Sequence, residues 1–190
     1  MRDLRSRQRE VARQSIVDAC AELVTERRHL DFTMKEVAER AGMSLRTVYN
    51  HFAAREDLLD ALGVTMDEES RALGGPDASE LETLDDLLDA VQTNVGIFEQ
   101  LGGISEALAQ MPLAEVGHNS LRLARTKLLT DFIAAQMPSA PPEDAHAIAT
   151  VLRHMASHRS WFWLTREYGL ESSDLTRILN WAIRTLIEAA

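Results

Sequence analysis

Cysteine is nearly absent: Cys20 is the one thiol in 190 residues. No disulfide can form within the chain, and a cytoplasmic location suits that composition. No apolar run approaches the ~20 residues that a membrane-spanning helix needs, so no membrane partner is expected. Arginines crowd the N-terminus, MRDLRSRQREVARQ, but no apolar stretch follows them as it would in a secretory signal. Glycine-rich phosphate loops, a GxSxG elbow and an HExxH pair are all missing. Acidic pairs such as Asp85 and Asp86 read as solvated helix faces rather than as catalytic carboxylates. Neither an enzyme nor a cofactor is expected. Alternation of apolar and polar residues never persists, so strands are not expected either, and there is no internal repeat or low-complexity segment.

The net charge of −10 argues at first against nucleic acid, but its distribution argues otherwise. Through residue 55 there are 11 Lys and Arg against 8 Asp and Glu; beyond it there are 9 against 22. A mildly basic head on an acidic body fits DNA contact through one end.

That head contains the most informative stretch, residues 33–58, TMKEVAERAGMSLRTVYNHFAAREDL. Thr33 followed three residues later by Glu36 is a capping box, which starts a helix. Val37, Ala38 and Ala41 form its apolar stripe. Gly42 follows, where a left-handed backbone ends a helix without steric cost. Ser44 then caps a second helix, on which Val48 and Phe52 face back to the first. A small residue at the crossing, a glycine in the turn and an apolar wedge are what a helix-turn-helix requires, and its second helix enters the DNA major groove. Leu45 and Arg46 begin that helix. Arg46 suits guanine O6 and N7, Leu45 suits a thymine methyl, and Lys35 is a weaker base-reading candidate.

The run resembles the DNA-binding domain of the tetracycline-repressor (TetR) family of bacterial regulators. Thr33, Val37, Ala38, Ala41, Gly42, Met43, Ser44, Thr47, Val48, Tyr49, His51, Phe52, Arg55 and Leu58 carry the likeness. Arg55 stands where the family usually has lysine, and Arg46 where it often has glycine or alanine. The resemblance implies that Thr33, Thr47, Tyr49, His51 and Arg55 touch the DNA backbone; Ser44 and Asn50 complete the expected DNA-facing set. A purely packing role remains the alternative for Tyr49.

The rest of the chain reads as all-α, about nine helices in total. Residues 1–54 are expected to form a three-helix DNA-binding domain and residues 55–190 a larger ligand-binding and dimerisation domain. Residues 1–6 read as a flexible arm, either DNA-seeking or merely solvated, before a helix over 6–27. A fourth helix starts near Ala54 and ends at Gly74, Gly75 and Pro76. Further helices are expected over 78–100, 104–110 and 112–137, then one long helix over 142–168 and a last one from Ser172.

The 142–168 helix carries two stripes. Ile148, Leu152, Met155, Arg159 and Phe162 form one; Val151, His154, His158, Trp161 and Thr165 form the other. A helix apolar on two sides needs two neighbours, either both within the chain or one from a second subunit. A homodimer is the expectation, with Val151, His154, His158, Trp161, Ile178 and Ala182 at its interface, which the family's usual dimer of its last two helices also implies. His154 and His158 have metal-ligand spacing, but without a third ligand they read as a polar seam and no metal is expected. Phe98, Met111, His118, Phe132, Met155, Arg159 and Phe162 are the expected lining for a largely apolar small-molecule effector. Arg159, on an apolar stripe, needs either a carboxylate of the chain or a polar group of that ligand. The expected function is a transcriptional regulator, most simply a repressor, bound to a palindromic double-stranded operator as a homodimer and released by the effector. A helical protein-interaction module is the alternative.

Overall fold

The computed structural model describes residues 2–110, 120–139 and 141–188, and among them there are helices and no strand. The helices are α1 (Arg2–Arg27), α2 (Met34–Arg40), α3 (Leu45–His51), α4 (Arg55–Ala72), α5 (Leu84–Leu101), α6 (Gly103–Ala109), α7 (Ser120–Gln136), α8 (Pro142–Met155), α9 (His158–Phe162) and α10 (Ser172–Glu188). A 3₁₀ turn, Ala78–Glu80, precedes α5, and a π-helical turn, Trp163–Glu167, follows α9.

Short-range signals set most of the boundaries. Glu36 N–H donates to Thr33 Oγ1 at 3.2 Å while Thr33 N–H donates to the Glu36 carboxylate at 2.7 Å, the reciprocal pair that starts α2. Thr83 and Asp86 repeat the device at α5, with bonds of 3.2 and 2.8 Å. That box places the α5 start six residues later than the expected helix over 78–100. Ser44 Oγ accepts from Thr47 N–H at 3.1 Å and opens α3. Gly42, at φ +65, makes the turn that a β-carbon would strain.

Two further expectations are corrected. The arginine-bearing start is not an arm, because α1 is helical from Arg2; no glycine or proline stands there to stop helix propagation. The helix expected over 142–168 is not continuous. It stops at Ala156, and Ser157 caps a new start by accepting from Ser160 N–H at 3.3 Å. Ser157 and Ser160 hydroxyls both donate to His154 carbonyl oxygen at 2.6 Å, so the exposed end of α8 is satisfied by side chains rather than by another turn.

Two apolar cores result. The first joins Ile16, Val17, Cys20 and Val24 of α1 to Val37 of α2, Val48 and Phe52 at α3, and Leu58 and Leu62 of α4. It also takes in Ile104 and Ala107 of α6. The second gathers Leu88, Val95 and Phe98 of α5, Ile133 of α7, Leu152 of α8, Trp161 of α9 and Leu175, Leu179 and Ile183 of α10. Helix α4 leads out of the first core; its buried Asp67 is ion-paired with Arg71 and with Arg125 of α7. Among the described residues no helix is long and apolar enough to cross a membrane.

Candidate nucleic-acid interface

Val48, with no exposed surface, and Phe52, with 2 %, fix the inner side of α3 against the first core. Leu45, Arg46, Tyr49 and Asn50 therefore share the outer side, one and four residues apart, and all four are exposed. Leu45 and Tyr49 leave 40 % and 48 % of their surface open, large values for such apolar side chains. A guanidinium, a phenol and an amide beside an aliphatic side chain on an open helix face can reach base edges and phosphates together. Lys35 is also exposed and makes a 3.7 Å surface contact with Glu39.

Other expected DNA contacts are partly engaged in building this head. The hydroxyls of Thr47 and Ser44 share a hydrogen bond of 2.8 Å at the N-terminus of α3. Thr33 is exposed but capping, and His51 is half-buried at the end of α3. Arg55 turns inward: its guanidinium donates to Leu30 carbonyl oxygen at 2.5 Å and lies 4.7 Å from the Phe32 ring centroid.

Three arginines that motif reading did not single out orient the helices. Arg40 of α2 makes a two-pronged pair with Glu26 of α1, at 2.8 and 2.7 Å, and reaches Glu22 at 3.3 Å. Arg27 pairs with Glu36 at 2.6 Å, and with the Thr33 N–H it holds the Glu36 carboxyl well down, to about 2. Arg13 sits 4.9 Å over the Phe52 ring. The only available signal for these was charge on α1 and α2, and periodicity cannot say which charges meet.

The residues expected in a ligand site divide. Phe98 and Phe132 are buried in the second core, and Met155, Arg159 and Phe162 are half-buried around it. Met111 and His118 lie outside the described residues. Of the residues expected between subunits, Val151, His154 and Ile178 are exposed and Ala182 is half-buried. His158 and Trp161 are not on that surface. The break at Ser157 turns them inward, where the His158 ring stacks 3.9 Å from Phe98 and the Trp161 ring lies 6.1 Å from it. His158 keeps a partly open edge but its Nε2 is sealed. Burial, aided by the Arg125 charge, pushes its pKa down to about 4. The two histidines thus do not share a helix face, and among the described residues no three His, Cys, Asp or Glu side chains gather as a metal site. A residue that was missed, Trp181, is 69 % exposed on α10, one turn from the exposed Ile178.

Residues 16–62 match the family model described as bacterial regulatory proteins, tetR family. No curated protein matches in sequence. Solved structures share the fold of nearly the whole chain. A putative TetR-family transcriptional regulator from Rhodococcus sp. is 20% identical, with a TM-score of 0.65, over 93% of this chain and 98% of its own. One from Syntrophomonas wolfei is 14% identical, with a TM-score of 0.68, over 94% and 96%. A TetR variant from Acinetobacter baumannii AYE in complex with minocycline is 19% identical, with a TM-score of 0.58, over 92% and 93%.

Proposed function

We propose, from the premise that residues 16–62 are a helix-turn-helix of the tetR family of bacterial regulatory proteins, that this chain is a transcriptional regulator that reads a palindromic operator as a homodimer. The observation that carries this is the outer face of α3. Leu45, Arg46, Tyr49 and Asn50 stand together on a helix whose inner side is locked by Val48 and Phe52, so the face is rigid and open at once. In the proposed complex, Arg46 and Leu45 meet base edges, and Lys35 assists. Tyr49, Asn50, His51, Thr47, Ser44 and Thr33 position the head on phosphates, and Arg55, turned to the Leu30 carbonyl and the Phe32 ring, braces them.

In this reading residues 1–54 form the head, and residues 55–190 carry the dimer and effector functions. Two heads must fall about 34 Å apart to occupy successive major grooves. Val151 of α8, with Ile178 and Trp181 of α10, offers exposed apolar side chains for the second subunit. An effector bound near Phe98, Phe132, Met155, Arg159 and Phe162 is largely apolar and shifts the dimer toward a form with lower operator affinity. The minocycline complex of the Acinetobacter relative supports a small-molecule ligand for this fold. Repression is the simplest sign of regulation for a protein that occupies an operator until an effector arrives.

Selection of bound duplexes from a random DNA pool tests the proposal. A palindromic consensus with half-sites one helical turn apart is the expected result. Recovery of no preferred sequence at any salt concentration would reject it and favour an interaction module.

A further inference from the structure

The six residues 28–33 connect α1 to the helix-turn-helix, and their conformation sets how α2 and α3 sit on α1. Arg28 begins this link at φ +53, the one positive φ outside glycine among the described residues. A non-glycine residue holds that backbone only where its surroundings impose it. Those surroundings come from α6, which lies far along the chain. Gln110, which caps the end of α6, donates from Nε2 to the Arg28 carbonyl oxygen at 2.9 Å. The Arg28 guanidinium reaches both carboxylate oxygens of Glu106, at 3.4 and 3.3 Å. At Gly103, a β-carbon would stand 2.4 Å from the Thr25 carbonyl oxygen, so α6 is pressed against the last turn of α1.

Glu106 is the centre of this contact. It is 6 % exposed, and a buried carboxylate needs charge partners. It has two from separate segments: Arg28, and Arg166 of the π-helical turn after α9, at 2.5 Å. On the other side of the link, Arg27 donates to Asp31 carbonyl oxygen and to Glu36, both at 2.6 Å. Successive arginines thus tie the link outward to α6 and forward to α2.

We propose that Glu106, outside the helix-turn-helix, is a positioning residue for DNA recognition: through Arg28 it fixes the α1–α2 link and so the pose of α3, and through Arg166 it joins that pose to the turn after α9. The inference rests on the DNA-binding reading above. It assigns Glu106 no contact with DNA. Arg166 and Arg28 share this carboxylate, so a displacement of the turn after α9 bears on the Arg28 link through it as well as through the packing of α6 on α1.

The test is equilibrium binding of full-length wild type, Glu106→Gln, Arg28→Ala and the double variant to a duplex selected by wild type, over a range of salt concentrations. Each single variant is expected to bind about tenfold more weakly and the double variant no more weakly than either, because the two side chains act as one contact. The salt dependence of Glu106→Gln should equal that of wild type, since no phosphate contact is lost. Unchanged affinity in Glu106→Gln overturns the proposal. So do additive losses in the double variant, or a salt slope reduced by about one unit in Arg28→Ala alone, which makes Arg28 a phosphate contact. A purely structural role would show as a lower melting temperature with unchanged affinity per active molecule. Should Glu106→Gln fail to fold, Arg28→Ala still decides, because its side chain is 63% exposed and its removal leaves the cores intact. Wild type binding no duplex would remove both this inference and the reading beneath it.

Discussion

At the scale of single residues, exposure separates two kinds of arginine in the head. Arg46 points outward from α3, whereas Arg55 is occupied by the Leu30 carbonyl oxygen and the Phe32 ring. Arg46→Ala should cost roughly 1–3 kcal/mol of operator binding and relax preference at one base position, read by repeating the selection with the variant. A uniform loss over all sequences would make Arg46 a phosphate contact. Arg55→Ala should instead lower the melting temperature, since a buried carbonyl loses its charged donor, a change of about 1–3 kcal/mol. His158 sets a pH dependence. Its folded pKa, about 4, lies below the ordinary histidine value of ~6.5, so between these the unfolded chain binds a proton that the native chain refuses. The neutral ring's contribution is complete above about pH 6.5 and is lost as pH falls toward 4. Melting curves at pH 7.5 and 5 should differ more for wild type than for His158→Phe, which keeps a ring against Phe98. Equal differences would show that other groups govern acid sensitivity. Cys20 is the opposite case: burial pushes its thiol up to about 12, so the native protein should resist alkylation until it unfolds.

The helices owe their ends to contacts of three or four residues, and their mutual angles to charges farther apart. Thr33 serves α2 through its cap, and the same Glu36 that closes the capping box is held by Arg27 of α1. Thr33→Ala should cost about 1 kcal/mol of stability from the cap. If Thr33 also contacts phosphate, operator affinity should fall at temperatures where both proteins are fully folded. Thr33→Ser, which keeps the hydroxyl, should restore both; failure to restore either would separate the methyl group's packing from the cap. The capping box was legible in the sequence because its partners are three apart. The break between α8 and α9 was not. Ile148, Leu152, Met155 and Phe162 keep a helical period across it, and that period hid the Ser157 cap. With the break, one stripe dissolves: Val151 and His154 remain outside while Trp161 joins the core and His158, half-buried, packs on Phe98.

For the whole molecule, the unresolved demand is the apolar surface on α8 and α10. Leu175, Leu179, Ile183 and Ile187 bury one side of α10, yet Ile178 and Trp181 stand exposed on another. A tryptophan 69 % exposed one turn from an exposed isoleucine is costly in water and is the kind of anchor that subunit interfaces use. Trp181→Glu and Val151→Glu should each yield monomers in sedimentation and abolish operator binding without unfolding the chain, because neither side chain supports the core. Dimers persisting in both variants would place the interface elsewhere.

By itself the sequence determined the all-helical class, the helix-turn-helix and the face of α3 that turns outward. Each depends on interactions within one or two turns: a cap three residues away, a glycine free to take positive φ, apolar side chains every three or four positions. Which helix faces which was decided only in three dimensions. Arg28 finds Glu106 across 78 positions and Arg166 finds it across 60, separations at which a sequence holds many carboxylates and no rule for choosing among them. The choice falls to packing. Gly103 lets α6 approach α1, Ile104 and Ala107 enter the first core, and the carboxylate carried with them is buried where two arginines can reach it. His158 is settled the same way, since the spacing that makes it a surface partner of His154 on a continuous helix turns its ring onto Phe98 once the chain turns at Ser157.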